Sequence, residues 1–398
     1  MNELQYCDFA LNNMPNNIII KSLTKKDIFL NIFLCLLLFL SNRTGFITIL
    51  SVWTILILLL IPIKRYLNIN LLLLLLYILL YIVGGINTSF LDSFTSVIAY
   101  ILPVVSFYLF GRYFASQCTN TKMFFLFVFL VLFFYGLEIY LSIIFDILES
   151  GNIINKDRNF YFFNNPSRQL SATLVGVQVY PGLIGFPMYF ISKKYSKILA
   201  FLYLVLAFLS LLTTVYLLNR TGLIIWLVST LAMMFYYYRN KLGKFIVVLV
   251  CLVGIISFYY SNQFATSEIV SEYSDRGGDL YTLGNRTQYW IYALNNIFTH
   301  PFGWGDSVEY MHNMWLDVAK IAGVLPFVIL VIMTINSLIS LYRILRIKNS
   351  EVSILFLGLY ICFFLSLFVE PIAGGTHLFL FVMIWGMQVS YFYKSNTS

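Results

Sequence analysis

Residues 69–86 read INLLLLLLYILLYIVGGI, a run with no charged side chain. At 1.5 Å per residue such a helix is about 27 Å long, close to the ~30 Å of hydrocarbon in a bilayer. Stretches of the same character recur along the whole chain. Of 398 residues, 60% are hydrophobic and 11% are charged, with a mean hydropathy of +0.84. Soluble domains carry roughly 25% charge, so this composition belongs to an integral membrane protein. A helix satisfies its own backbone groups in lipid, and the fold class expected is all-α.

The apolar runs predict twelve spans, at about 28–41, 45–63, 69–86, 94–112, 123–148, 171–191, 198–217, 222–238, 245–261, 313–342, 352–370 and 376–393. They leave no room for a soluble domain, so residues 1–398 form a single polytopic membrane domain. The polar start, MNELQYCDFALNNMPNN, has no cleavable-signal pattern, which leaves targeting to the first span. The five cysteines are scattered without metal-ligand spacing or a disulfide framework.

Cations alternate between the two sides of this layout. One side holds clusters such as Lys21, Lys25 and Lys26, Lys64 and Arg65, Lys193, Lys194 and Lys197, and Arg343 and Arg346. By the positive-inside rule that side, with both termini, is cytoplasmic. The net charge of +8 therefore reports membrane orientation and not a nucleic-acid partner. The other side carries Arg43, Lys156, Arg158, Arg168, Arg220, Arg276 and Arg286, nearly all arginines. Lysine suffices as an orientation signal, whereas the arginine fork suits bidentate binding of phosphate or carboxylate. The outer face is the expected anion site.

Two long connections lie on that face, at 149–170 and 262–312. Loops longer than about 15 residues usually carry function. The first mixes cations with aromatics and asparagines. In the second, Arg286, Tyr289 or Trp290, Ala293, Leu294 and Ile297 recur at helical spacing, as in an amphipathic helix lying at the interface. The stretch THPFGWGD then breaks that helix before the next span.

The tripeptide Asn-Arg-Thr occurs at 42–44, 219–221 and 285–287. Asn219 is an expected N-cap, which puts Arg220 in the first turn of a span, where helix dipole and unbonded N–H groups favour a bound anion. Snorkelling to lipid phosphates is the alternative reading. Gly222 suggests close backbone approach. Arg286 opens the amphipathic helix and faces either the mouth of the bundle or solvent. Arg43 and Arg276 read as an interfacial and a solvated arginine. His312, at the start of a span, is expected to be held neutral and able to accept a proton from a hydroxyl; an interfacial histidine bonded to backbone is the alternative. Asn313 either orients it or caps the helix. Asp317, about 140° further around a helix, is a poor orienting carboxylate for His312, and its expected partner is Lys320. Glu138, deep in a span, is a functional candidate or a structural partner of Lys320. Glu370 and His377 bracket an outer turn and are candidates for acceptor binding. The chain has no Asp-x-Asp, no phosphate-binding loop and no His-Glu-x-x-His. Activated substrate must come from elsewhere.

The stretch NRTQYWIYALNNIFTHPFGWGDSVEYMHNMWLDVAKIAGVLPF, from Asn285 to Phe327, resembles the signature region of the bacterial O-antigen polymerase/ligase family. The resemblance rests on Arg286 and Trp290 on one helix, then Pro301, Phe302, Gly303 and Gly305, then His312 and Asn313 entering a segment with Gly323. An earlier arginine followed by small residues matches Arg220, Thr221 and Gly222. The resemblance implies an inverting, metal-independent glycosyltransferase of the GT-C type that needs no cofactor. Its substrates would be undecaprenyl-diphosphate-linked oligosaccharides, as donor and acceptor, at the periplasmic face of the inner membrane. Arg220 and Arg286 would hold the diphosphate and His312 would deprotonate or position the acceptor hydroxyl. Asn313, Trp290, Arg168, Arg158, His377 and Glu370 complete the expected substrate-binding set. Membrane lipids are expected partners, and the resemblance admits a chain-length regulator protein. Polymerase is favoured over ligase, because the 149–170 loop suits sugar contacts and divergence of this kind is typical of polymerases. A lipid-linked oligosaccharide flippase is the rival from another class.

Overall fold

The computed structural model describes residues 63–118, 120–155, 157–163, 165–241, 286–304, 311–347, 350–369 and 376–396, besides positions 33, 59, 61, 243, 246 and 250. Apart from those single positions, the expected spans at 28–41 and 245–261 and most of that at 45–63 lie outside the described residues, as do Arg43, Arg276, Gly305 and Glu370.

The helices are α1 (Ile69–Asn87), α2 (Phe94–Gln117), α3 (Thr121–Ser150), α4 (Ala172–Val179), α5 (Gly185–Ser192), α6 (Lys197–Tyr216), α7 (Arg220–Tyr238), α8 (Arg286–Asn296), α9 (Met314–Ala322), α10 (Val324–Ile347), α11 (Glu351–Val369) and α12 (Thr376–Asn396). Among the described residues seven of them, α1, α2, α3, α6, α7, α10 and α11, are long and apolar enough to cross a membrane. The chain is an all-α membrane protein. Asn68, Asn120, Ser196 and Asn219 start α1, α3, α6 and α7 by accepting a backbone N–H of the first turn. Each such cap stabilises its helix by about 1 kcal/mol.

Packing divides the helices into two groups. One contains α3, α5, α6 and α7; the other contains α1, α9 and α10, with α2 paired along α12. Helix α11 contacts α3 and α7 on one side and α10 on the other, and so joins the groups. Helices α7 and α11 run antiparallel, with Met233 against Gly358 and Ser229 within hydrogen-bond reach of Cys362.

Three features depart from a plain reading of the apolar runs. The predicted span at 171–191 runs antiparallel to α6 but is interrupted, as α4, a 3-10 turn at Tyr180–Ile184 and α5. Pro181 has no N–H to donate, and Gly182 lets the turn press against Ser210 and Tyr140. The connection at 149–170 contains an antiparallel hairpin, β1 (Asn159–Phe162) and β2 (Asn165–Ser171), with an irregularity at Tyr161–Phe162. Strand alternation buries Phe160 and Phe162 and exposes Tyr161, while Phe163, just past β1, stacks on Phe145.

The third departure is a correction that bears on the site. Residues 313–342 are not one span. The nine-residue α9 is about 13 Å long, too short to cross hydrocarbon. Were it continuous with α10, Trp315 and Thr334 would lie about 28 Å apart. Instead Trp315 Nε1 donates to Thr334 Oγ1 at 3.0 Å. Helix α9 therefore folds back on α10 as a re-entrant hairpin that turns at Gly323.

The turn is closed by distant parts of the chain. Gly323 N donates to Ala319 O, Trp304 N to Lys320 O and Thr88 Oγ1 to Ile321 O, at 2.8, 2.9 and 2.7 Å. The first N–H of α10, at Val324, reaches Pro301 O at 3.0 Å. Carbonyls that a helix end leaves unbonded are thus satisfied inside the protein, the condition under which a re-entrant element is tolerated at membrane depth. Gly303, with φ +91°, lies so close that a Cβ would stand 2.8 Å from Lys320 O and 2.9 Å from Ile321 O. The spacing of Pro301, Gly303 and Gly323 thus has a physical cause. The turn after α8 is the plug that caps α9.

Candidate functional site

Asn219 is the expected N-cap of α7: its Oδ1 accepts Gly222 N at 3.3 Å, and its Nδ2 donates to Ala172 O at 3.3 Å. The cap is buried, and Arg220 follows it as the half-buried first residue of the helix. Gly222 does not hold its backbone open for a ligand. A Cβ there would meet Thr214 Cγ2 at 2.6 Å and Tyr180 Cε1 at 2.8 Å, so this glycine serves helix packing.

The hairpin is fastened beside that cap. Arg158, itself in the left-handed region with φ +58°, donates through Nε to Leu217 O at 3.2 Å. Asn155 N reaches Tyr216 O at 2.8 Å, and Arg158 O accepts Ala172 N at 2.9 Å. Tyr216 in turn donates its hydroxyl to Asp146. Arg158 and Arg220, far apart in sequence, therefore share one end of α6 and α7.

Helix α8 provides the other half. Its buried side, Ala293 with Ile297 just beyond it, packs with Trp304, Met311, Leu316 and Ala319. Ala293 and Ile297 of the expected stripe are buried, whereas Leu294 is exposed together with Ile291 and Phe298, so the side of the helix away from the protein is itself apolar. Arg286 opens this helix. One turn later Tyr289 lies over the His312 ring, with centroids 6.1 Å apart and planes at 29°. Trp290 meets Phe368 of α11 edge-on at 5.2 Å.

His312 is half-buried and takes a left-handed backbone conformation, φ +52°. Burial, followed by the charge of Arg286, holds its pKa below the usual histidine value. Neutral imidazole is the form this setting favours. Its Nδ1 is buried and has no hydrogen-bond partner among the described residues. Asn313 resolves to the cap of α9, accepting Leu316 N at 3.3 Å, and is buried.

Helix α11 brings the two halves together. Continuing the antiparallel register set by Met233–Gly358 and Ser229–Cys362 places the start of α7 level with the end of α11. Phe368, at that end, touches both Trp290 and Trp315. Arg220, Arg158, Trp290, Arg286 and His312 thus stand at one end of the bundle. Arg168 lies on β2 and His377 in the first turn of α12. Glu138 is buried within α3, which packs on α4, α6, α11 and β1. Among the described residues no group of three or more His, Cys, Asp or Glu side chains is arranged to hold a metal ion.

Residues 205–331 match the family model for O-antigen ligase. The matched stretch contains Arg220, Arg286, Asn313 and His312, and is consistent with the O-antigen polymerase/ligase family that the motifs resemble. That family is associated with glycosyl transfer in O-antigen ligation or polymerisation. No curated protein matches the chain. Sequence reasoning missed Tyr289 as the ring against His312. Its i+3 spacing from Arg286, which puts both on one helical face, was the available signal. The capping of α9 by Trp304 and Thr88 had no local signal.

Proposed function

We propose that the chain is an O-antigen polymerase of the inner membrane, with both termini cytoplasmic and its site on the periplasmic face. It transfers the growing glycan from undecaprenyl diphosphate to a new lipid-linked repeat unit. The observation that carries this reading is a half-buried imidazole, held neutral beside an arginine, at the bundle end where a second arginine opens α7. His312 takes the proton of the acceptor hydroxyl, whose oxygen bonds to the anomeric carbon. The bond from that carbon to the diphosphate breaks on the opposite face, which inverts the centre. Arg220 and Arg286 hold the diphosphate and offset the charge it gains as it leaves. No step calls for a metal.

Polymerase is favoured over ligase by the hairpin, which leaves the Tyr161 ring exposed and so offers an aromatic face to a sugar, while Arg158 of the same connection is fastened to the end of α6. A flippase is a poorer fit, since its polar groups should serve both sides of the membrane in turn. The test is deletion of the gene in a strain that makes a lipopolysaccharide ladder. Loss of a polymerase leaves single repeat units on the core. A bare core, with polymer left on undecaprenyl diphosphate, would establish a ligase instead.

The electrostatics give a second test. A base must be neutral to accept a proton, and a depressed pKa keeps His312 neutral further into acid. Arg286→Gln removes a positive charge, so the pKa of His312 rises. The acid limb of kcat/KM should then move to higher pH, besides the loss from weaker donor binding. An unmoved acid limb would place the base elsewhere.

A further inference from the structure

Asp317 is 1% exposed and lies five residues beyond His312, on a different side of α9. It does not act on the imidazole directly. Its Oδ1 accepts the backbone N–H of Met311 at 2.6 Å, across the turn that precedes the helix. On the other side of His312, Asn313 is held through its side chain by Leu316 N and through its carbonyl by Asp317 N, at 3.3 and 2.8 Å. Both neighbours of His312 are therefore fixed to the first turns of α9.

The residue between them needs that restraint. Non-glycine residues occupy the left-handed region at a cost of roughly 1–2 kcal/mol, and His312 stands there with φ +52°. Released from Met311, the backbone at 312 relaxes toward negative φ and carries the imidazole away from Tyr289 and Arg286. Met311 is fully buried, so water does not replace the lost acceptor.

We propose that Asp317 is the positioning residue for His312, its carboxylate fixing the left-handed backbone there by accepting the Met311 N–H. The proposal rests on His312 being the base. It makes a particular demand: an oxygen must stand at the Oδ1 position, whatever its charge. Asparagine supplies one, whereas leucine and alanine do not.

The test uses the full-length protein in proteoliposomes, with a polyprenyl-diphosphate-linked repeat unit as donor and acceptor. Asp317→Leu should lower kcat about 10²-fold while KM stays within about twofold, as for a reacting group displaced by roughly 1 Å. Asp317→Ala gives the same reading where the leucine variant does not accumulate. Asp317→Asn should recover most of the rate. Placed on a His312→Ala background, Asp317→Leu should slow the enzyme no further, since both changes act through one group. Wild-type turnover in Asp317→Leu, no recovery in Asp317→Asn, or an undiminished effect on the His312→Ala background would overturn the proposal. Wild-type turnover in His312→Ala would overturn the base assignment itself. An inactive His312→Ala beside a fully active Asp317→Leu sinks only the role of Asp317.

Discussion

His312→Ala should abolish the ladder in cells and lower glycosyl transfer by about 10²–10⁴-fold with purified donor and acceptor, the usual contribution of a positioned general base. The loss should fall on kcat. Donor KM should change little, because Arg220 and Arg286 remain to hold the diphosphate. The fold should survive, since the imidazole is half-buried, contacts chiefly the Tyr289 ring, and caps nothing. Thermal unfolding of the detergent-purified variant should therefore match wild type. A variant that still extends glycan at the wild-type rate would remove His312 from the chemistry. Rescue by small imidazoles would not follow from this site, because Tyr289 and the buried surroundings of Nδ1 restrict access to the space left behind.

Much of the architecture was legible because hydrocarbon thickness sets the length of an apolar run. The predicted spans at 69–86, 94–112, 123–148, 198–217, 222–238, 352–370 and 376–393 each correspond to one described helix. Of the two others, 171–191 holds its direction: Gly176 lies by Asn219, Gly182 by Ser210 and Gly185 by Tyr203, so the segment runs antiparallel to α6 and is only interrupted at Pro181 and Gly182. The span at 313–342 failed, because hydropathy sums over a window and does not register a reversal of direction. In 313–342 the reversal depends on hydrogen bonds from Thr88, Pro301 and Trp304, which no local pattern contains. The site divides in the same way. Arg220 and Arg286 stood out in the sequence because arginine at the end of an apolar segment is costly; the structure puts both at the first position of a helix, α7 and α8. That Arg158 joins Arg220 follows from a hairpin hidden in a polar loop. Asp317 was set aside on helical geometry, correctly for a direct contact with His312, but its partner is the backbone one residue earlier.

The reversal at Gly323 predicts the largest effect on stability. Gly323 has φ +89° and ψ −172°, a region that only glycine occupies readily, and other residues there cost roughly 1–3 kcal/mol. Space is equally restrictive. A Cβ would overlap Pro301 O and stand 2.8 Å from Phe302 Cα, so the plug would have to leave its seat. With it go the acceptor at Pro301 for Val324 N and the donor at Trp304 for Lys320 O. Conformational strain, steric overlap and lost hydrogen bonds together put Gly323→Ala above about 4 kcal/mol, the exceptional class of single substitutions. Little folded protein should be recovered in mild detergent, and what is recovered should lack transferase activity, because α9, capped by Asn313, carries Asp317 and sets the place of His312. Gly151→Ala is the matched control. That residue also has positive φ, +70°, but an added Cβ there meets nothing within 4 Å. Its cost should stay near 1–2 kcal/mol, the conformational part alone. Equal unfolding temperatures for the two variants would mean that the seat of the plug contributes nothing, and that α9 is held in its re-entrant position by its contacts with α1 and α10 alone.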